Sequence, residues 1–447
     1  MNRNLLIKLG AIVVLVVLLM IPLLMIDGLV SERQSLRIGV VEDIARSSSF
    51  SQQLTGPILV VPYRRTVREW KVHETTGQRY LDEKEIRNRL YFLPERFVLD
   101  GEMKTELRYR GIYQARLYHG NNQISGRFEI PEHFGISEHL EDYRFERAFL
   151  AMGISDIRGI KNDLKLRLNG RQFNFEPGSG DKMLGNGVHA PLALDGAQAQ
   201  ALDFAFDLHL QGTSQFDVTP VGRETQVRLS SDWPHPSFVG SYLPSEREIS
   251  GAGFSARWQT SFFATNLEEV LRDCTRRNEC YELANRRFGV SFVDPVDQYL
   301  KTDRAIKYAL LFIALTFAGF FLFEVLKRLS VHPVQYGLVG LALAFFYLLL
   351  LSLSEHIGFE LAYAVSASAC VLLIGFYVSS VLHSLLRGGA FAAALAALYG
   401  MLYGLLSAED YALLMGSLLV FGLLAAVMVL TRKLDWYGLG KSPATAA

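Results

Sequence analysis

The chain has 447 residues, half of them hydrophobic, and its 45 Lys or Arg are balanced by 45 Asp or Glu. At ~100–200 residues per domain, that length calls for at least two folding units. Zero net charge removes the bulk electrostatic argument for a nucleic-acid partner.

The first apolar run covers residues 5–30 and follows a short basic start, with Arg3 before it and Lys8 inside it. A secretory signal has an apolar region of ~7–15 residues and a small-residue cleavage site. This run is longer, and "MIDGLVSERQ" contains no Ala-x-Ala. Residues 1–30 therefore read as an uncleaved signal-anchor helix.

Residues 31–303 are charged, aromatic and punctuated by Gly and Pro, and their patterning favours strands. "GPILVVPY" (56–63) is a β-branched run between breakers. "MKTELRYRGIYQARLYHG" alternates through Leu107, Tyr109, Ile112, Tyr113, Ala115 and Leu117. "ALDFAFDLHLQG" sets Leu202, Phe204, Phe206, Leu208 and Leu210 against Asp203, Asp207 and His209, the period of a half-buried strand. "RETQVRLSS" and "FSARWQTSFFA" behave likewise, and "HGNNQ" and "EPGSG" read as turns. Helix is expected near Asp142, in "HLEDYRFERAFLAMG", and near Asn266, in "NLEEVLRDC". The expectation is a β-rich domain of two stacked sheets with a helical tail.

Two details in this region bear on function. In "DWPHPSF", prolines flank His235 and fix a rigid non-helical loop. It either presents Trp233 and His235 to a partner or forms a structural corner. In "CTRRNEC", Cys274 and Cys280 lie close enough to pair if the compartment is oxidising.

Five further apolar runs follow, at residues 306–326, 334–353, 361–382, 389–406 and 411–430. Each has the ~20 residues that ~30 Å of hydrocarbon demands. The total is six spans, with a five-helix bundle over residues 304–433 and a tail over 434–447. Lys327, Arg328, His332, His383, Arg387, Arg432 and Lys433 fall in alternate connections, whereas the others carry Glu355, Glu360, Glu409 and Asp410. The basic side faces the cytoplasm, so both termini lie inside and residues 31–303 lie outside.

Glu324, Glu355, His356, Glu360, His383, Glu409 and Asp410 sit near span ends. Ionisable groups within membranes are costly and usually functional, but at a boundary they also serve as caps and topology markers. The stretches "YGLVGLALAFFYLLLLSLSEH" and "YGMLYGLLSAED" resemble each other. If they are two copies of one hairpin, Glu355, His356 and Glu360 meet Glu409 and Asp410 in an outer polar cluster. No P-loop, Gly-x-Ser-x-Gly, His-Glu-x-x-His or paired Cys-x-x-Cys spacing occurs, so no catalytic residue, metal or cofactor is expected.

The blocks "SDWPHPSFVGSYLPSEREISGAGFSARWQTSFFATNL", "GPILVVPY", "GIYQARLY", "DQYLKTDRAIKYALLFIALTF", "HPVQYGLVG", "FYLLLLSLSEHIGF" and "TRKLDWY" resemble the CreD family across nearly the whole chain. The resemblance implies a bacterial inner-membrane protein of the envelope-stress response, under a two-component system and affecting tolerance to colicins and β-lactams. It supplies no catalytic residue. The expected role is non-enzymatic support of envelope integrity through contact between the outer domain and an envelope protein or lipid. Beyond the lipid bilayer no partner is named, and self-association stays open. The alternatives are a transporter or flippase-like bundle and, less favoured for want of a nucleophile–base pair, a membrane-embedded hydrolase.

Overall fold

The computed structural model describes residues 3–73, 78–277, 281–292, 297–327, 331–407 and 412–432. It divides into two compact units, Met1–Arg37 with Val296–Ala447, and Ile38–Pro295. Helix α1 (Arg3–Ser47) begins in the first and ends in the second. It does not stop with the apolar run: residues 31–47 contain no Pro and only one Gly, so nothing breaks the helix there.

Unit Ile38–Pro295 is built on two sheets. The main path of the nine-stranded sheet is β14 (Ser237–Gly240), β17 (Phe288–Ser291), β12 (Gln215–Thr219), β1 (Gln52–Val72), β6 (Ala148–Ile154), β10 (Gly187–Leu192) and β9 (Glu176–Pro177). Strands β2 (Arg79–Phe92) and β5 (Tyr143–Phe145) also pair with β1. The eight-stranded sheet runs β15 (Glu246–Ser250), β16 (Gly253–Ser261), β13 (Glu224–Ser231), β3 (Arg96–Arg110), β4 (Tyr113–Ile130), β11 (Gln200–Thr213), β7 (Lys165–Leu168) and β8 (Arg171–Asn174). The β1–β12 and β13–β3 pairs are parallel.

In β11 every second residue from Leu202 to Leu210 is buried, as the sequence alternation predicts. The inward side chains of both sheets join one core. Trp258 of β16 stacks on Phe288 of β17 at 5.3 Å, and Tyr118 of β4 meets Phe216 of β12 at 6.0 Å. Such aromatic pairs add to the burial that holds sheet on sheet. Gly126 of β4 marks a close approach, because a Cβ there would meet the Arg96 carbonyl at 2.1 Å.

Two sequence expectations fail here. The stretch near Asp142 is not an α-helix: a 3-10 turn at Leu140–Asp142 leads into β5 and β6. The apolar run "AFLAMGI" is nearly all buried in the sheet, and a short apolar run reads equally as strand or helix by period alone. "HGNNQ" is no turn but the middle of β4, where Asn122 donates to the Leu208 carbonyl at 3.1 Å. The alternation in "MKTELRYRGIYQARLYHG" belongs to two strands. The stretch is the β3–β4 hairpin, turned at Gly111 with φ of 63°. Short helices α2 (Phe262–Thr265), α3 (Leu267–Arg277) and α4 (Tyr281–Asn285) complete the unit, α3 falling where helix is expected near Asn266.

The remaining unit is helical: α5 (Gln298–Lys307), α6 (Ala309–Lys327), α7 (Pro333–Ile357), α8 (Phe359–Val381), α9 (Leu385–Ser407) and α10 (Ala412–Thr431). Among the described residues, α1, α7, α8 and α9 are each long and apolar enough to cross a membrane. The pair α5–α6, bent by 45°, makes a fifth if counted as one span.

Candidate functional site: polar ties at the two ends of the helical unit

The loop before α7 brings four helix-end features together. His332 caps α7 through Nδ1, which accepts from the Val334 amide at 3.3 Å, while Gln335 accepts from the His332 amide at 3.1 Å. Pro333 follows as the first helical residue, where its missing N–H is not needed. One turn on, the Tyr336 hydroxyl donates to Glu324 Oε2 at 2.9 Å. Glu324, at 5% exposure, also accepts from the Val331 amide at 3.0 Å and forms an ion pair with Lys8 of α1. Phe317 and Phe320 pack on the Tyr336 ring at 5.6 and 4.8 Å. A carboxylate so enclosed needs this many partners, since an unpaired buried charge costs several kcal/mol.

At the other end of α7, Glu355 accepts from the Tyr299 hydroxyl at 3.0 Å and lies 3.8 Å from Arg33 of α1. Beside it Asp297 caps α5 through the Tyr299 amide at 2.9 Å and pairs with Arg37 at 2.5 Å. Lys301 lies over the Phe359 ring at 5.3 Å.

The two sets of ties stand a bilayer apart. Lys8 and Arg33 are twenty-five residues apart on α1, ~38 Å at 1.5 Å per residue. Tyr336 and Glu355 are nineteen apart on α7, ~28 Å. A hydrocarbon core of ~30 Å fits between them. Chemically, the sets pin α1 to α6, α7 and α5 at two heights.

The outer polar cluster expected from sequence is only partly described. Glu355 lies in a tie, His356 is exposed with Nδ1 3.1 Å from the Ser352 carbonyl, and Glu360 is exposed. Glu409 and Asp410 lie outside the described residues. Gly358, with φ of 78°, makes the reversal between α7 and α8. The partners that sequence reasoning missed are Lys8, Tyr336, Arg33, Arg37, Asp297 and Tyr299. Lys8 interrupts an apolar run, which was a legible signal. The tyrosines carried none, because an aromatic in an apolar helix reads as packing.

Between the two ends α7, α8 and α9 share a buried polar knot. Tyr363 donates to the Tyr399 carbonyl at 2.7 Å, and Tyr399 contacts the Cys370 sulfur at 3.3 Å. The Ser366 hydroxyl is buried with no hydrogen-bond partner among the described residues.

In the β-sheet unit, the "DWPHPSF" loop is pinned inward. Trp233 is buried, donates to the His235 carbonyl at 2.8 Å and carries the Arg116 guanidinium 3.6 Å over its ring. Asp232 accepts from the Thr105 amide and hydroxyl, each at 3.0 Å. The Trp233 indole is thus held within the unit, whereas His235 between the two prolines is exposed. Cys274 is buried and disulfide-bonded; Cys280, its expected partner, lies outside the described residues. A shallow polar depression of about 660 Å³ lies on the outer face of the eight-stranded sheet, lined by residues that include Asp100, Glu102, Gln123, His209 and Arg228. No group of three His, Cys, Asp or Glu suited to a metal occurs among the described residues.

A family model described as Inner membrane protein CreD matches residues 4–437. The inner membrane protein CreD of Escherichia coli (strain K12) is 38% identical over 424 residues, spanning 94% of this chain and 91% of that protein. A Legionella pneumophila crystal structure, provisionally described as a nutrient binding protein, aligns over 38% of this chain and 65% of its own. The identity is 9% and the TM-score 0.19, too low for any argument to rest on it.

Proposed function

The chain belongs to the CreD family of inner membrane proteins, and from that premise we propose that it acts as a membrane scaffold without catalysis of its own. Its β-sheet unit supports envelope integrity by contact with an envelope component. The observation that carries this reading is the use made of the polar side chains at the helix ends. Lys8, Glu324 and Tyr336, and then Arg33, Glu355 and Tyr299, bind helices to one another. Groups committed to such ties hold a frame in place; a transport path needs groups that change partners.

The topology adopted with this reading has six spans, both termini in the cytoplasm and the β-sheet unit in the periplasm. The charge asymmetry of the short connections supports it. Tolerance to colicins and β-lactams is the expected phenotype.

A second reading, a transporter or flippase-like bundle, draws on the knot of Tyr363, Cys370 and Tyr399 and on the unpartnered Ser366 hydroxyl. Cells lacking the protein should regain stress tolerance with the full chain but not with a version whose residues 38–295 are replaced by an unrelated secreted domain. Full rescue by the replaced version, together with solute or lipid flux in proteoliposomes, would favour the second reading.

A further inference from the structure

At one corner of the β-sheet unit, strand ends of the eight-stranded sheet form one side of a groove. Arg96 opens β3, Glu224 opens β13 and pairs with it, and Gln259 lies near the end of the neighbouring β16. The other side is made by Tyr242 and Leu243, from the chain after β14, and by Ala264 of α2. The Tyr242 hydroxyl donates to the Ala264 carbonyl at 3.4 Å, which joins loop and helix. The Trp258 indole donates to the Tyr242 carbonyl at 3.2 Å, which holds the loop to β16. The space between the two sides is about 750 Å³, within the ~300–1,000 Å³ of sites that take a drug-sized ligand.

The two sides differ in chemistry. On the loop side, Leu243 is 78% exposed, and Phe263, next to Ala264 in the chain, is 93% exposed. Two large apolar side chains left in water at one corner mark a contact surface. On the strand side Arg96, Glu224 and Gln259 are exposed, and none makes a side-chain hydrogen bond or ion pair among the described residues. Arg96 and Glu224 are direct neighbours, so the charges on this side cancel.

We infer that the groove takes an extended peptide segment of another envelope protein. One large apolar side chain of that segment lies against Tyr242, Leu243 and Ala264, and its backbone amides meet Arg96, Glu224 and Gln259. A peptide carbonyl accepts from Arg96, a peptide N–H donates to Glu224, and Gln259 serves either. A lipid acyl chain would strip water from these polar groups and leave them unpaired, which is costly. The cancelled charges do not select an anionic headgroup either. Position argues the same way. Strand β3 runs from Arg96 to Arg110, ~46 Å at ~3.3 Å per residue. At that other end Arg110 pairs with Asp43 of α1 at 3.1 Å. The groove thus lies at the end of β3 away from α1, which carries the first apolar run. The inference deepens the scaffold reading above by naming what the β-sheet unit touches, and it rests on that reading for its setting.

The test pans a displayed library of random heptapeptides against the full chain in nanodiscs, after empty nanodiscs have removed the lipid binders. Enriched peptides should share a large apolar residue. Made as free peptides, they should bind about tenfold more weakly to Leu243→Ser and to the double variant Arg96→Gln/Glu224→Gln, as loss of an anchor predicts. All three positions are exposed, so both variants should keep the wild-type unfolding temperature. No enrichment overturns the inference, as does unchanged affinity for either variant. A dansyl-labelled undecanoate probes the other occupant. If it binds the wild type, fails to bind Leu243→Ser and displaces the peptides, the groove is an amphiphile site and the peptide inference falls. Binding is read on purified protein, so failure here leaves the scaffold reading to be judged separately by domain replacement in cells.

Discussion

Two buried aspartates on the β-sheet unit show how environment sets the sign of a charge's contribution. Asp156 is held below the usual carboxylate range chiefly by the Arg158 guanidinium, with 2.9 and 2.6 Å contacts, and by the Phe50 amide at 3.0 Å. Its stabilisation is fully present above the unfolded value of ~3.9 and is lost as pH falls through the lower folded value. Asp217 goes the other way. Burial pushes it up, against the opposing pull of Arg287 at 3.3 Å, and its Oδ1 has no hydrogen-bond partner among the described residues. Folding therefore favours its protonated form, and the cost of holding it charged is greatest above its folded value. Asp217→Asn removes that cost while keeping the shape. In detergent at mildly alkaline pH the variant should unfold about 2–4 °C higher than wild type for each kcal/mol recovered, and the gap should narrow on acidification. A variant less stable at every pH would mean that the Arg287 pair outweighs the burial cost.

Glu355 and His356 are neighbours in sequence with different surroundings. Glu355 holds Tyr299 and Arg33, whereas His356 is exposed and contacts only its own helix among the bonds described. His356→Asn should leave membrane abundance and stress tolerance close to wild type. Glu355→Gln, which keeps an acceptor for Tyr299 but loses the charge facing Arg33, should cost about 1 kcal/mol, as partly exposed pairs do. If His356→Asn proves the more damaging of the two, the outer end of α7 has a role that these ties do not describe.

At the scale of elements, α7 is the part most plainly written in the sequence. His-Pro before the apolar run announces a cap and a first turn, and Gly358 announces the stop. With φ of 78° and ψ of 160°, Gly358 occupies a region that side chains resist. Gly358→Ala should therefore destabilise the α7–α8 reversal by about 1–3 kcal/mol, measured as a lower unfolding temperature in detergent. An unchanged unfolding temperature would show that the turn has slack. The alternating strands β11, β13 and β16 were equally legible because their period survives burial on one face. Strand β6 was not, since "AFLAMGI" lies within the sheet and loses the alternation that marks a strand. The ties escaped detection for a related reason: Tyr336 and Tyr299 act through one hydroxyl each, and nothing in sequence says where a hydroxyl points.

For the whole molecule, α1 is the element that the account depends on. Its 45 residues supply Lys8, Arg33 and Arg37, cations that meet Glu324, Glu355 and Asp297. Packing among apolar helices gains little from the hydrophobic effect inside lipid, so van der Waals packing and polar contacts between helices together hold them in place. Breaking the Lys8–Glu324 pair by removing one partner strands a buried charge, at a cost of roughly 3–5 kcal/mol. The central claim is that these charges hold the frame and do not carry a solute. Exchanging them tests it most directly: stress tolerance is measured at equal expression for Lys8→Glu, Glu324→Lys and the double exchange. The account predicts that each single change lowers both membrane abundance and tolerance and that the double exchange restores a large part of both. A double variant that returns to normal abundance yet stays as intolerant as the singles would contradict it, because the charges would then be needed for their identity and not for their attraction.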